Sequence, residues 1–368
     1  MRKKKFFIFP KTLANGKTLY YYSCYDDKGK RRQFSTRKED EIEATELVLE
    51  RYRNGTLIQN TNLTFDTYAY NFFDYDGRYV QNRIHRGYSY SKSCCDKNNS
   101  IINKRAIPFF GTRPLNMITS RDIEDWIMVE KKTGLSNTTI NRRIKTLRLI
   151  FNEAYRLQDI KFNPFDAIKL FYDDTKSKGI YTEEEINKLF KEKESVNIWK
   201  NKTTYLFNYL AVLTGMRLGE LQALRVEDIS PNSIKVTHSY DAMYGIKETK
   251  TGESREIPIS HEVYKELISM LMWRKNGYVF SLDNGLKPIN RSYIYNHYYS
   301  AMSKIDLSRE KLTNRNLSFH SYRHTFASIL ANKNVPELFI RKLTGHASKQ
   351  VFNGYTHIQI EQLRKALA

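Results

Sequence analysis

His320, Arg323 and His324 stand together in LSFHSYRHTFASILA, His346 follows Gly345 in LTGHAS, and Tyr355 comes nine residues after His346. Well upstream, Arg217 lies in LTGMRLGEL, with Glu220 three residues later. A guanidinium stays charged and presents a planar fork that matches two phosphate oxygens. His320 and Arg323, three apart on a helix, share a face. Gathering a charged imidazole with a guanidinium is unfavourable in a core and sensible around a phosphate. His324 reads better as a hydrogen-bonding core histidine, with Phe319, Tyr322, Phe326 and Ile329 burying the far side of the helix. A tyrosine hydroxyl has a pKa near ~10, so it becomes a nucleophile only in positive surroundings or beside a base. Two arginines and two histidines supply such surroundings. The chemistry that unites these residues is attack on a phosphodiester to give a covalent phosphotyrosine, which stores the bond energy and needs neither metal nor nucleotide cofactor.

A proton donor for the departing oxygen completes such a site. Lys250, in Thr249-Lys250-Thr251-Gly252, is the candidate, with Lys247 and Arg255 as competitors on the same segment. Each residue alone has a plainer reading. An arginine near a glycine usually makes a salt bridge, a turn lysine is usually solvated, and Tyr355 is one of 26 tyrosines.

The elements that must position these groups belong to a long, basic chain. Its 368 residues exceed one ordinary core, and 61 Lys/Arg against 40 Asp/Glu give a net charge of +21, which favours a polyanionic partner. Cys24, Cys94 and Cys95 offer neither a disulfide framework nor zinc spacing, and fit a reducing compartment. The opening MRKKKFFIFP has too short an apolar run for a signal peptide, and no stretch reaches membrane-span length. A soluble, intracellular protein is expected.

Residues 5–9, 18–25 and 31–35 read as short strands, followed by a helix over 38–53, in a segment whose first 38 residues carry twelve Lys/Arg and two Asp. Such a sheet, with Arg31 and Arg32 on its third strand, could lie in a DNA groove. Residues 64–170 read as all helix. Thr119 or Ser120 caps one segment, and SNTTINRRIKTLRLIFNEAYRLQ puts Ile140, Ile144, Leu147 and Phe151 on one face. Arg142, Arg143, Lys145 and Arg148 on its other faces are candidates for touching a nucleic-acid backbone. After a charged linker at 173–179, Thr182 and Glu185 form a capping-box signature. An apolar helix at 204–213, a strand from Ser233 to His238, a basic hairpin at 246–259 and further helices follow. The expected architecture is multidomain. It comprises a three-stranded sheet with one helix (1–55), an all-α domain (64–170) and a mainly α domain with a small antiparallel sheet (180–368), α+β overall.

The combined motifs resemble the tyrosine recombinase, or phage integrase, family. TGMRLGEL corresponds to its first box and supplies Arg217, with Glu220 as the acidic neighbour. TKTGESREIPI supplies Lys250, HSYRHTFAS supplies His320 and Arg323, LTGHAS supplies His346, and YTHI supplies Tyr355. LTGH stands where many members read LGH. The resemblance implies a core-binding domain over 64–170 and an arm-binding module over the first 55 residues, as in integrases of phages and conjugative transposons. It further implies a cytoplasmic bacterial enzyme, nucleoid-associated when bound, that integrates and excises a mobile element through a 3′-phosphotyrosine and a Holliday junction. Its partner would be double-stranded DNA at specific sites, its working form a tetramer, and its helpers an excisionase and a DNA-bending host factor, with no cofactor. The rival readings are a type IB topoisomerase, a catalytically inactive DNA-binding protein and, remotely, a polyphosphate enzyme.

Overall fold

The computed structural model describes residues 6–13, 16–25, 29–53, 57, 63–173, 177–190, 195–248, 254–272 and 274–345. The chain divides into two compact units, Met1–Thr175 and Lys176–Ala368.

The first unit opens with β1 (Phe6–Thr12), β2 (Thr18–Tyr25) and β3 (Arg31–Ser35), an antiparallel sheet in that order, and α1 (Glu41–Arg53). Asp40 starts α1 by accepting the N–H groups of Ile42 and Glu43, each at 2.9 Å. Strand alternation sends Tyr22 and Cys24 to one side, where they meet Val48 of the helix in a small core flanked by Phe6, Ile8 and Phe34. So few side chains make a thin core, and the sheet keeps Phe7 and Tyr25 exposed.

The rest of this unit is helical: α2 (Phe65–Ala69), α3 (Arg78–His85), α4 (Lys92–Ile101), a π-helical turn (Ile102–Ala106), α5 (Ile107–Phe110), α6 (Ser120–Lys131) and α7 (Asn137–Arg156). Thr119 and Asp122 cap α6 reciprocally, and Ser136 caps α7. Ile140, Ile144, Leu147 and Phe151 are fully buried along one stripe of α7. Phe65 stacks on Phe151 and tilts against Phe110, which fixes the short α2 on the bundle. Asn141 secures the segment that leaves the bundle by exchanging hydrogen bonds of 2.9 Å with the backbone of Phe171.

The second unit contains α8 (Glu183–Phe190), α9 (Ser195–Ile198), α10 (Lys202–Thr214) and α11 (Leu218–Ala223), then β4 (Ile229–Ser230), β5 (Ser233–Val236), β6 (His238–Asp241), β7 (Gly245–Glu248) and β8 (Arg255–Pro258). Helices α12 (His261–Leu271), α13 (Arg291–Lys304), α14 (Arg309–Asn314), α15 (Ser321–Asn332) and α16 (Glu337–Thr344) complete it. The expected Thr182–Glu185 box is present, with N–H bonds of 2.9 and 3.2 Å. Helix α10 is the hub: Leu206, Phe207, Leu210 and Ala211 are buried, and it packs against α12, α13 and α15. Its lack of a polar face follows from that enclosure.

One expectation is corrected. The basic hairpin over 246–259 is instead two separate pairings: β7 pairs with β6, whereas β8 joins β5 in a β4-β5-β8 sheet. The alternation of residues suits either arrangement. What decides is the facing pair Ile234 and Ile257, both buried in the core, while the β7 side chains from Ile246 to Glu248 are exposed.

Candidate active site

Arg217 sits where α10 gives way to α11. Gly215 ends α10 in the left-handed region at φ +63°, and a Cβ there would lie 2.6 Å from the Phe326 ring of α15. The backbone N–H of Arg217 donates to Glu220 Oε2 at 2.8 Å, and its Nη1 donates to Glu220 Oε1 at 2.7 Å. Its Nη2 donates to the carbonyl of Gly345, at the end of α16, at 3.1 Å. Arg217 keeps about a quarter of its side chain exposed, at 24%.

Glu220 is 2% exposed and has a second arginine on its other side. Arg255, the first residue of β8, donates Nη2 to Oε2 at 2.6 Å and Nη1 to Oε1 at 3.2 Å. The remaining Arg255 nitrogen, Nε, donates to the Leu343 carbonyl at 2.7 Å. Burial pushes the Glu220 carboxyl up, but the hydrogen bonds and charge of Arg255, then the charge of Arg217, reverse this and hold it at about 2. The carboxylate is therefore ionised wherever the protein is folded at ordinary pH.

Arg323 occupies the first turn of α15, is 1% exposed, and donates Nη1 to the Gly215 carbonyl at 3.0 Å. The same glycine turn thus anchors Arg323 and precedes Arg217 by two residues. His320 immediately precedes α15. Burial first, then the positive charges of Arg323, Arg217 and Lys178, push its pKa down to about 4. At neutral pH the imidazole is therefore neutral and can accept a proton. His324 is buried with its ring edge-on to His320 at 5.2 Å. Phe319, Tyr322 and Phe326 are buried as expected, but Ile329 is 38% exposed.

Lys250, His346 and Tyr355 lie outside the described residues. The two competitors for the role of Lys250 are both engaged, Lys247 with Asp241 at 3.1 Å and Arg255 with Glu220. Of the other candidates, Arg142 and Lys145 are exposed on α7. Arg143 instead pairs with Glu130, a buried carboxylate also held by Arg105 at 3.2 Å. Arg148 donates to the Ile168 carbonyl at 2.9 Å and lies over the Phe165 ring. Arg31 and Arg32 are exposed on β3, with Arg31 reaching Ser23 Oγ at 3.1 Å.

Among the described residues no His/Cys/Asp/Glu cluster could hold a metal ion, and no helix is long and apolar enough to cross a membrane. What the described residues bring together is two guanidiniums and a neutral imidazole, a set suited to gripping an oxyanion and taking a proton beside it. The residue that sequence reasoning undervalued is Arg255. The sequence offered it only as a competitor for the role of Lys250, with nothing nearby to name Glu220 as its partner.

Residues 180–362 match the phage integrase family model, and residues 90–130 match that of the phage integrase N-terminal SAM-like domain. Together these spans cover more than half of the chain, and it belongs to the phage integrase family, the tyrosine recombinases. The ICEBs1 integrase of Bacillus subtilis is 26% identical over 273 residues, covering 70% of this chain and 72% of that protein. The transposase from transposon Tn916 of Enterococcus faecalis is 27% identical over 270 residues, covering 67% of this chain and 65% of that one. The fold matches the Tn1549 transposon integrase solved with circular intermediate DNA, with a TM-score of 0.62 at 22% identity over 83% of this chain and 99% of that one.

Proposed function

We propose that the chain is the integrase of a mobile element, a site-specific recombinase that cleaves and rejoins DNA through a 3′-phosphotyrosine. The observation that carries this reading is that Arg323 bonds the carbonyl of the Gly215 turn leading into Arg217, and that both guanidiniums act on His320. Arg217 and Arg323 clamp the scissile phosphate and stabilise the charge that builds on its non-bridging oxygens. His320 accepts the Tyr355 proton as the phenolate oxygen attacks phosphorus, His346 donates to the same phosphate, and Lys250 protonates the departing 5′-oxygen. In the second half the 5′-hydroxyl of a partner strand attacks the phosphotyrosine, and Tyr355 regains its proton. Glu220 and His324 support the clamp.

Segments 1–55, 64–170 and 180–368 serve as arm-binding, core-binding and catalytic domains. Arg31, Arg32, Arg142 and Lys145 contact DNA from the first two, and Arg143 and Arg148 do so only with the part of their donor set left over from the bundle. The working assembly is a tetramer on two duplexes in the bacterial cytoplasm, aided by an excisionase and a DNA-bending protein.

The test is covalent trapping on a nicked suicide duplex carrying the element's own junction sequence. The wild-type protein should accumulate an adduct that Tyr355→Phe does not form, with DNA affinity unchanged. Adduct formation by Tyr355→Phe would overturn the nucleophile assignment. Relaxation of supercoiled DNA by monomers, with no strand transfer between two cognate sites, would favour the topoisomerase reading.

A further inference from the structure

Glu220 has four acceptor positions on its two oxygens, and all four are taken. Arg217 fills two, through its backbone N–H and Nη1, and Arg255 fills the other two through Nη1 and Nη2. The division has a consequence for Arg217. A carboxylate with open positions beside a guanidinium draws both of its terminal nitrogens into a bidentate pair. Here Arg217 gives Glu220 only Nη1, and its Nη2 is turned to the Gly345 carbonyl. Arg255 reaches that same end of α16, because its Nε holds the Leu343 carbonyl. The fit is close: a Cβ on Gly345, itself at φ +65°, would come within 3.2 Å of Arg255 Nη1.

We infer that Arg255 is a positioning residue for the recombination chemistry. By occupying half of Glu220 it prevents the carboxylate from capturing the whole Arg217 fork, and by gripping Leu343 it fixes the carbonyl that orients the rest of that fork. Arg255 directs all three of its guanidinium nitrogens to Glu220 and the Leu343 carbonyl, so it acts through Arg217. This rests on the reading of Arg217 as a phosphate clamp.

Lysine at position 255 keeps a charge for Glu220 but cannot fill two acceptor positions and hold Leu343 as well. In full-length protein on the suicide duplex, Arg255→Lys should slow single-turnover adduct formation about 10- to 100-fold at saturating protein, the usual cost of a small misplacement. DNA affinity should stay within about twofold, since the residue acts through Arg217. The defect should nearly vanish when Arg217→Ala is already present, because two residues acting through one interaction are not additive. It should also shrink on a methylphosphonate duplex, where the scissile group lacks the negative charge that Arg217 meets, in parallel with Arg217→Ala. Rates are compared where circular dichroism shows the wild-type fold, with Arg255→Gln replacing Arg255→Lys if the latter fails that standard. A wild-type rate, an equal slowing on both duplexes, full additivity with Arg217→Ala, or a defect confined to affinity would each overturn the inference. Tyr355→Phe, run alongside, reports separately on the function itself: an adduct with that variant sinks the broader reading whatever Arg255 does.

Discussion

Glu220 is ionised, buried and shared by two arginines, and removing its charge leaves Arg217 and Arg255 facing each other with no anion between them. Breaking one partner out of a buried ion network typically costs ~3–5 kcal/mol, and Glu220→Gln should show a loss of that order in urea unfolding. Its pH dependence has a definite sign. The carboxyl titrates near 4.5 when unfolded and about 2 when folded, so its contribution is complete above 4.5 and disappears as pH falls toward 2. His320, at 6.5 unfolded and about 4 folded, acts in the same direction over a higher window. Stability should therefore decline on acidification first between about 6.5 and 4 and then further below, with the first step absent in His320→Gln. A bound phosphate adds negative charge beside the imidazole and should raise its pKa, which NMR titration with and without DNA measures directly. No upward movement would place the phosphate elsewhere. Arg217→Ala and Arg323→Ala should each cost about 3 kcal/mol in the barrier to cleavage, the typical loss of one preorganised charge donor, read from single-turnover rates.

At the level of elements, α11 presses on β6 so closely that a Cβ at Gly219 would stand 2.6 Å from Ser239 Oγ and 2.7 Å from the Tyr240 carbonyl. The backbone of β6 must shift to admit it, so Gly219→Ala should lower unfolding stability by roughly 1–3 kcal/mol, as overpacking does. A melting temperature equal to wild type would refute the close approach. Much of this architecture was legible because it is local. The three N-terminal strands, the buried stripe of α7 and the caps at Thr119 and Thr182 all follow from spacing within a few residues. The division of the 246–259 segment between two sheets was not, since it depends on Ile257 meeting Ile234 across more than twenty residues. The site divides in the same way. Arg217 and its neighbour Glu220 are three apart and readable, whereas Arg255 lies 35 residues from Glu220 and nothing in its own surroundings names that partner. Arg143 and Arg148 looked like free faces of a basic helix for the same reason, their partners Glu130 and Ile168 being 13 and 20 residues away.

Over the whole molecule, the +21 charge predicts that long-duplex affinity falls steeply with salt, through release of counterions, while the cleavage rate of bound complexes barely changes. Filter binding and single-turnover cleavage across a salt series separate the two, and a rate that fell in step with affinity would contradict it. The same excess has a local form around Glu220. Among the described residues, Arg217, Arg255 and Arg323 stand against the carboxylate of Glu220, with His320 neutral, leaving two positive charges in surplus. Like charges gathered in such a surplus repel one another, and a bound anion should relieve that repulsion. Pyrophosphate at constant ionic strength should accordingly raise the melting temperature of the wild type more than that of Arg217→Ala. The DNA backbone would then act as a structural counter-ion before it is ever a substrate.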